Sequence, residues 1–139
     1  MKRVACGLNL TVVQTVEGHV FQMGETGDGD VMVKWEGARL PELVKGNLSN
    51  YRVEEVACGR KHVCVVATPI TSSIRSDASI HRTILFAWGK GHKGQLGLGM
   101  AKDHSSPQIV EALAHRRIQQ VMEDSGIHQS FFFFLLSNC

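Results

Sequence analysis

The 139-residue sequence predicts an all-β fold, in the form of an incomplete β-propeller of about two four-stranded blades. Two observations indicate the strands: an internal repeat, and short apolar alternations separated by glycine-rich turns. A third, the length of the chain, shows that the ring of blades cannot close. The 14 glycines are about 10% of the residues, above the usual share of about 7%. Hydrophobic residues make up 43% of the chain. This composition indicates an ordered chain with many tight turns.

The repeat is visible in two places. Val-Ala-Cys-Gly at residues 4–7 recurs at 56–59, an offset of 52 positions, and both copies lead into runs of β-branched residues. Downstream, residues 18–24 match 83–89 at an offset of 65. The extra 13 residues of the second copy predict an enlarged hairpin loop at residues 69–81, which is rich in Ser and Thr.

Each unit offers about four short strands. Its last apolar residues are three apart, as at Val53 and Val56, which predicts a strand with a bulge or bend. Four strands in roughly 50 residues are typical of a propeller blade, and propellers close with 4 to 8 blades. At 52 residues per blade even four need about 208 residues. We therefore expect two repeats, at 4–56 and 57–121, in a propeller that cannot close alone.

A tail at residues 122–139 matches nothing in the repeat. Its apolar run, Phe131 to Leu136, would promote aggregation if exposed. This run is far shorter than the roughly 20 residues of a membrane-spanning helix, so no membrane insertion is expected. The tail and the missing blades suggest a truncated or alternatively spliced product, and an open propeller could self-associate through its unpaired edges.

Charge and cysteine content limit the classes of function. Lys and Arg number 15 against 13 Asp and Glu, and the net charge of +2 disfavours general nucleic-acid binding. The four cysteines include no Cys-x-x-Cys pair, and the N-terminus lacks the apolar stretch of a signal peptide. We expect an intracellular protein, in the cytoplasm or the nucleus.

The second copy resembles the repeat of the regulator of chromosome condensation family. Trp88-Gly89, four variable residues and then Gly-Gln-Leu-Gly at 94–97 form the most specific part of that pattern. The resemblance covers roughly residues 4–121 and implies a propeller of the seven-bladed type. The sequences of residues 6–13, 53–59 and 106–113 are similar to those of a plant subgroup of the family. That subgroup joins such repeats to a pleckstrin-homology domain and a FYVE zinc finger. The motif residues taken as structural are Gly7, Gly24, Gly59, His62, Trp88, Gly89, Gly94, Gln95, Leu96, Gly97 and Pro107.

The motif also has a physical interpretation. Gly94 and Gly97 suit positive-φ or crowded positions of a tight connection, and Leu96 can fill the space between adjacent blades. The first copy has Gly-Asp-Val-Met at 29–32 in this place, which predicts a looser turn. It also has Leu10 where the second copy has His62, a His common in the family's repeat.

The resemblance implies a guanine-nucleotide exchange factor for a small GTPase of the Ran or Rab type, with possible chromatin association through the full-length family. Exchange needs no covalent chemistry, so neither catalytic residues nor cofactors are expected. A non-enzymatic protein-interaction module is the competing hypothesis. A third is a non-functional fragment that does not fold on its own.

Other candidate sites have simpler structural explanations. Cys58, His62 and Cys64 are close in sequence but lack a fourth ligand, so buried structural residues are favoured over a metal site. The segment 89–94 lacks the Ser/Thr and the helix of a Walker loop. Lys90, His92 and Lys93 form a basic loop, for which a solvated loop is the favoured explanation and contact with an acidic partner or phosphate is the alternative.

No nucleophile and base stand in a catalytic arrangement, because the seven histidines are dispersed along the sequence. The largest apolar side chains, Trp35 and Trp88, are predicted to pack in the core, with a surface anchor as the alternative for Trp35.

Overall fold

The computed structural model describes residues 1–24, 40–70, 83–114, 116, 118–125 and 130–136. These residues form three antiparallel sheets in which sequential strands are neighbours. The first sheet contains β1 (Arg3–Cys6), β2 (Leu10–Gln14), β3 (Val20–Gly24) and β4 (Glu42–Leu43). The second contains β5 (Tyr51–Cys58), β6 (His62–Pro69), β7 (Ile84–Gly89) and β8 (His104–Ile109). The third contains β9 (Ile118–Ser125) and β10 (Ser130–Leu136), and short 3₁₀ helices span Gly46–Asn50 and Glu111–Leu113.

The predicted fold class is confirmed: the chain forms about two four-stranded blades of a β-propeller. In the described ranges there is no helix that is long and apolar enough to span a membrane. The Ser/Thr-rich loop predicted at 69–81 begins at the end of β6, and its residues 71–81 lie outside the described residues. Trp35 and the turn at 29–32 lie outside them as well.

The sheets are divided at different positions from the predicted sequence repeats. Residues 51–58 form one continuous strand, β5, and this strand belongs wholly to the second sheet. Its pairing with β6 shifts register between Val53 and Glu55. This irregularity is the bulge predicted from the spacing of Val53 and Val56. The bounds of the two sequence repeats, 4–56 and 57–121, stay a prediction, because the bounds of the sheets do not test them.

The second sheet is buried on both faces. Along β6, Val63, Val65 and Ala67 belong to the core cluster shared with the first sheet, whereas Cys64 and Val66 belong to the cluster shared with the third. Successive side chains of a strand point to opposite faces, so this alternation places β6 between two sheets. A strand buried on both sides needs a continuous apolar run, which Val63 to Ala67 supplies.

The tail forms part of a third sheet. Strand β10 pairs antiparallel with β9, with Phe134 opposite Val121 and Leu136 opposite Ile118. Ile118 and Val121 are buried in the cluster that they share with the second sheet. The hairpin of β9 and β10 therefore takes the place that β5 and β6 take in the second sheet, although the tail sequence shows no match to the repeat.

Candidate functional site

The basic loop is organised by the carboxylate of Asp103. One carboxylate oxygen accepts a hydrogen bond from the backbone N–H of Gly91 at 2.8 Å, and the other accepts one from Lys90 Nζ, also at 2.8 Å. The Nδ1 atom of His92 lies 3.6 Å from the same carboxylate. These contacts hold the connection between β7 and β8 closed at its base.

The glycine pattern explains why the chain can take this path. A Cβ atom on Gly91 would collide with the carbonyl oxygen of Lys102, so the close approach of the two segments requires glycine. Gly94 and Gly97 have φ angles of 76° and 65°, which side chains with a Cβ rarely adopt. Between these two glycines Leu96 is only 2% exposed and packs in the cluster between the second and third sheets.

Hydrogen bonding also fixes the charge of Asp103. The backbone N–H of Gly91 is the main cause, followed by the hydrogen bond from Lys90, and together they lower the pKa of this carboxyl to about 2 from an ordinary value of 3.8. Donors favour the ionised form of a carboxyl group. Asp103 is therefore negatively charged at neutral pH.

The three predicted contact residues differ in their surroundings. The side chain of Lys90 is 9% exposed and forms an ion pair with Asp103, so its charge is largely offset within the loop. His92 is 54% exposed and Lys93 is also exposed. The backbone N–H of Lys93 donates to Oε1 of Gln95 at 2.9 Å. The loop thus presents His92 and Lys93 to solvent, while the role of all three residues in partner contact stays a prediction.

The other motif residues lie at contacts between sheets or in turns. Trp88 is 1% exposed, and its Nε1–H donates to Oε1 of Gln22 in the first sheet at 2.8 Å. The carbonyl oxygen of the buried Pro107 accepts a hydrogen bond from the Asn47 side chain at 3.2 Å. Gly24 and Gly89 end β3 and β7 with positive φ angles of 88° and 107°.

His62 lies inside the protein. It is 2% exposed at the start of β6, and burial lowers the pKa of its imidazole to about 4. Cys58 packs against the first core cluster and Cys64 belongs to the second, so the second sheet separates their side chains. In the part of the chain that the structure describes, there is no group of three His, Cys, Asp or Glu side chains placed to hold a metal ion.

A groove of about 360 Å³ runs between the outer strands of the first two sheets. Its walls combine apolar side chains with exposed polar groups. The residues that define it include Leu40, Leu43, Lys45, Trp88, Ser106 and Pro107.

Two residues that organise the loop and the contact between sheets were missed by sequence reasoning. Asp103 follows the basic loop by ten residues and carries no motif of its own, so only its contacts mark it. Gln22 sits beside Met23 in a strand and bonds to a residue 66 positions away. A polar residue at a core-facing strand position was the available signal for Gln22.

Stacked antiparallel blades, with this glycine-rich loop between β7 and β8 of the second blade, define a propeller-repeat protein. Residues 84–122 match the family model described as Regulator of chromosome condensation (RCC1) repeat, so the chain carries an RCC1 repeat. Over 120 residues it is 30% identical to the RCC1 domain-containing protein RUG3, mitochondrial, of Arabidopsis thaliana, covering 83% of this chain and 23% of that protein. It is 28% identical to the serine/threonine-protein kinase Nek8 of Danio rerio, covering 88% of this chain and 16% of the kinase. The chain thus spans about a fifth of the length of these relatives.

Solved structures show the same fold. Human WBSCR16 superposes with a TM-score of 0.67 at 24% identity, covering 99% of this chain and 31% of that one. Prp20p from Saccharomyces cerevisiae superposes with a TM-score of 0.61 at 18% identity, covering 87% of this chain and 28% of Prp20p. The structural report on Prp20p describes its binding to Gsp1p and histones.

Proposed function

We propose that this chain is a regulator of a small GTPase, binding the GTPase through the exposed side of the Asp103-clamped loop and promoting nucleotide exchange. The observation that carries the proposal is the exposure of His92 and Lys93 on a loop whose base is fixed by Asp103. Prp20p, which shares the fold, binds the Ran GTPase Gsp1p.

The geometry suits recognition without covalent chemistry. A loop held by Asp103 in the free protein loses little conformational entropy on binding, which favours affinity. An exposed lysine raises the rate of association with an acidic surface, because the opposite charges attract each other over a long range. Exchange then requires only that the loop bind the nucleotide-free GTPase more tightly than the nucleotide-bound form, because differential affinity shifts the equilibrium toward nucleotide release.

The test compares Lys93→Glu with Lys45→Glu in a binding and exchange assay. Both lysines are exposed, but Lys45 follows β4 and lines the groove between the first two sheets, whereas Lys93 lies in the loop that Asp103 holds. Affinity for nucleotide-free and GDP-bound Ran-type GTPase is measured by biolayer interferometry, and release of a fluorescent GDP by stopped flow. We expect tighter binding to the nucleotide-free form and a loss of about tenfold in affinity for Lys93→Glu, or ~1.4 kcal/mol. Lys45→Glu should match the unmodified chain.

Equal affinity for the two GTPase states, or equal loss in both variants, would contradict the proposal. Binding that is weakened by Lys93→Glu without any acceleration of GDP release would instead support the competing function, a non-enzymatic interaction module. The similarity to Nek8 favours this second candidate, because there the matching segment accompanies a protein kinase.

The proposal also covers the subgroup of the family, the location in the cell and a second class of partner. Membership of the plant subgroup with pleckstrin-homology and FYVE domains stays a proposal, and the similarity to RUG3 supports only its coarser part, a likeness to a plant RCC1 protein. We propose an intracellular location, and the mitochondrial name of RUG3 extends it beyond cytoplasm and nucleus. Histones are a further partner class because Prp20p binds them, although a basic loop is a poor match for a basic ligand.

A further inference from the structure

One end of the second sheet carries an excess of positive charge. The turn between β5 and β6, residues 59–62, and the connection from β7 to β8, residues 89–104, meet there, because β6 begins and β7 ends at paired residues, His62 and Gly89. Together the two segments contain five Lys or Arg residues and one acidic residue, Asp103. Their net charge is +4 with His neutral, whereas the whole chain carries only +2. We call these two segments the basic end.

Backbone contacts hold the two segments of the basic end together. The backbone N–H of Lys90 donates to the carbonyl oxygen of Lys61 at 2.9 Å, which joins the connection to the turn. A Cβ atom on Gly91 would collide with the carbonyl oxygen of Lys102, so the start and the end of the connection also lie against each other. The backbone that carries the cations is therefore in place before a partner binds, which limits the conformational entropy lost on binding.

The positive charge of the basic end is largely exposed. Lys90 is paired with Asp103, whereas Arg60, Lys93 and Lys102 are exposed cations. In the part of the chain that the structure describes, no carboxylate forms an ion pair with any of these three residues. Cations gathered on one surface attract an anionic partner together and raise its rate of association. The basic end is therefore a candidate binding surface for an anion.

Asp103 shows which kind of anion this surface accommodates. Its carboxylate accepts hydrogen bonds of 2.8 Å from the backbone N–H of Gly91 and from Nζ of Lys90, so a carboxylate already lies among the cations. A nucleic acid gains affinity with each phosphate that is neutralised, and a chain with a net charge of +2 offers little to a long phosphate backbone. The surface therefore suits a short run of carboxylates better than a nucleic acid.

We propose that the basic end binds a short acidic segment of a partner protein, a run of Asp or Glu side chains, through Arg60, Lys93 and Lys102. The planar guanidinium of Arg60 can bind one carboxylate by two parallel hydrogen bonds, and the two lysine ammonium groups neutralise neighbouring carboxylates. The inference rests on the proposed function for the identity of the partner, a GTPase. It extends the contact from the loop onto the turn between β5 and β6 and names the chemistry on the partner's side.

Fluorescence anisotropy with a labelled hexaglutamate peptide tests the proposal on the 139-residue chain. Hexaglutamate should bind and hexaserine should not, and Arg60→Glu should weaken the binding of hexaglutamate about tenfold. Arg116→Glu is the matched control, because Arg116 is also an exposed arginine but follows the far end of β8. The absence of hexaglutamate binding, full binding by Arg60→Glu, or an equal loss in both variants would overturn the proposal.

A second probe separates a protein segment from a phosphate backbone. Hexaglutamate with a blocked C-terminus carries the same number of negative charges as heptathymidylate, a single strand of DNA. At equal salt concentration the peptide should bind more tightly than the DNA. Equal or tighter binding of the DNA, weakened by Arg60→Glu, would show a general site for polyanions and overturn the assignment to a protein segment.

Amide chemical shifts of the unmodified chain provide a measurement that needs no variant to fold. Hexaglutamate added to the nitrogen-15-labelled chain should shift the amide signals of Arg60, Lys93 and Lys102 and leave that of Arg116 in place. Peptide binding that spares the three cations would overturn the proposal.

These assays contain neither GTPase nor nucleotide, so they separate this inference from the proposed function. If the peptide binds and the GTPase does not, the acidic partner is another protein and the proposed function is wrong. If the GTPase binds and the peptide does not, the proposed function stands and the inference about the acidic segment is wrong.

Discussion

His62 is a titratable side chain held inside the protein, where water cannot stabilise its charge. Burial lowers the pKa of the imidazole to about 4, from an ordinary value of 6.5. The unfolded chain therefore binds a proton more readily than the folded chain between these two values. The stability contributed by neutral His62 is complete above pH 6.5 and is lost as the pH falls toward 4.

Replacement of His62 by leucine should remove this part of the pH dependence. The first repeat already has a buried leucine, Leu10, at the equivalent position, so the substitution suits the site. The free energy of unfolding of the unmodified chain should fall by roughly 2 kcal/mol between pH 7 and pH 5, at about 1.4 kcal/mol per pKa unit. Urea denaturation at the two pH values measures the fall, which should be much smaller in His62→Leu.

Asp103 should not interfere with that comparison. Its pKa is lowered to about 2, so the stability that it contributes is lost only below its ordinary value of 3.8. An equal fall in stability in the unmodified chain and in His62→Leu would show that other groups cause the pH dependence.

Gly7 shows how a single residue joins neighbouring sheets. A Cβ atom at this position would collide with the carbonyl oxygen of Gly59, the equivalent glycine of the second copy. The backbone N–H of Leu8 donates to the carbonyl oxygen of Arg60 at 2.9 Å beside this contact. The close approach of the two turns therefore requires glycine at position 7.

At the scale of strands, polar contacts between the sheets supplement the apolar core. Gln14 is fully buried on β2, and its Nε2 donates to the carbonyl oxygen of Val53 on β5 at 2.7 Å. Arg3 and Glu55 form an ion pair of 2.7 Å between β1 and β5. Such directional contacts fix the position of one sheet on the next. Apolar packing is less directional, so alone it defines this position less precisely.

The hydrogen bond between Trp88 and Gln22 should contribute to this placement. A double-mutant cycle of Trp88→Phe and Gln22→Met removes the donor, the acceptor, or both. We expect a coupling energy of about 1 kcal/mol, because a neutral hydrogen bond of this kind contributes about that much net. Chemical denaturation of the four proteins gives the coupling energy.

A cycle of Trp88→Phe with Gln95→Met serves as the control. Gln95 lies in the loop and accepts its hydrogen bond from Lys93, so its coupling to Trp88 should be close to zero. If both cycles give the same coupling, the contact between Trp88 and Gln22 is not a specific link between β7 and β3.

At the scale of the whole molecule, the protein is a stack in which each sheet covers the next. The core cluster shared by the first two sheets includes Val63, Val65, Phe86 and Trp88 of the second sheet. Repeat proteins of this kind owe much of their stability to the surfaces between neighbouring units. Removal of the first sheet would expose one whole face of the second.

A chain consisting of residues 51–139 should therefore lack a cooperative unfolding transition. Circular dichroism during heating, together with binding of a dye that fluoresces on apolar surfaces, measures this effect. A chain that begins at Arg3 is the control, since it loses only two exposed residues and should melt like the whole chain. A sharp thermal transition in residues 51–139 without dye binding would show that the second and third sheets are stable without the first.

Sequence periodicity predicted the strands well because side-chain alternation and turn glycines are local properties. It placed residues 51–56 at the end of the first repeat, whereas β5 extends from Tyr51 to Cys58 in the second sheet. Sheet membership depends on hydrogen bonds to distant strands, so a repeat unit in sequence and a sheet in space need not share boundaries. Asp103 was missed for the same reason, because its role depends on contacts with Gly91 and Lys90 across a loop.

The sequence alone determined the all-β class, the two four-stranded blades and the resemblance to the RCC1 repeat, since each depends on residue types at fixed spacings. Only the tertiary structure decided which residues face a partner sheet and which face solvent. It placed Lys90 in an ion pair with Asp103 and exposed His92. The physical reason is that burial and charge compensation depend on which segments lie next to each other, and most of these neighbours are far apart in the chain.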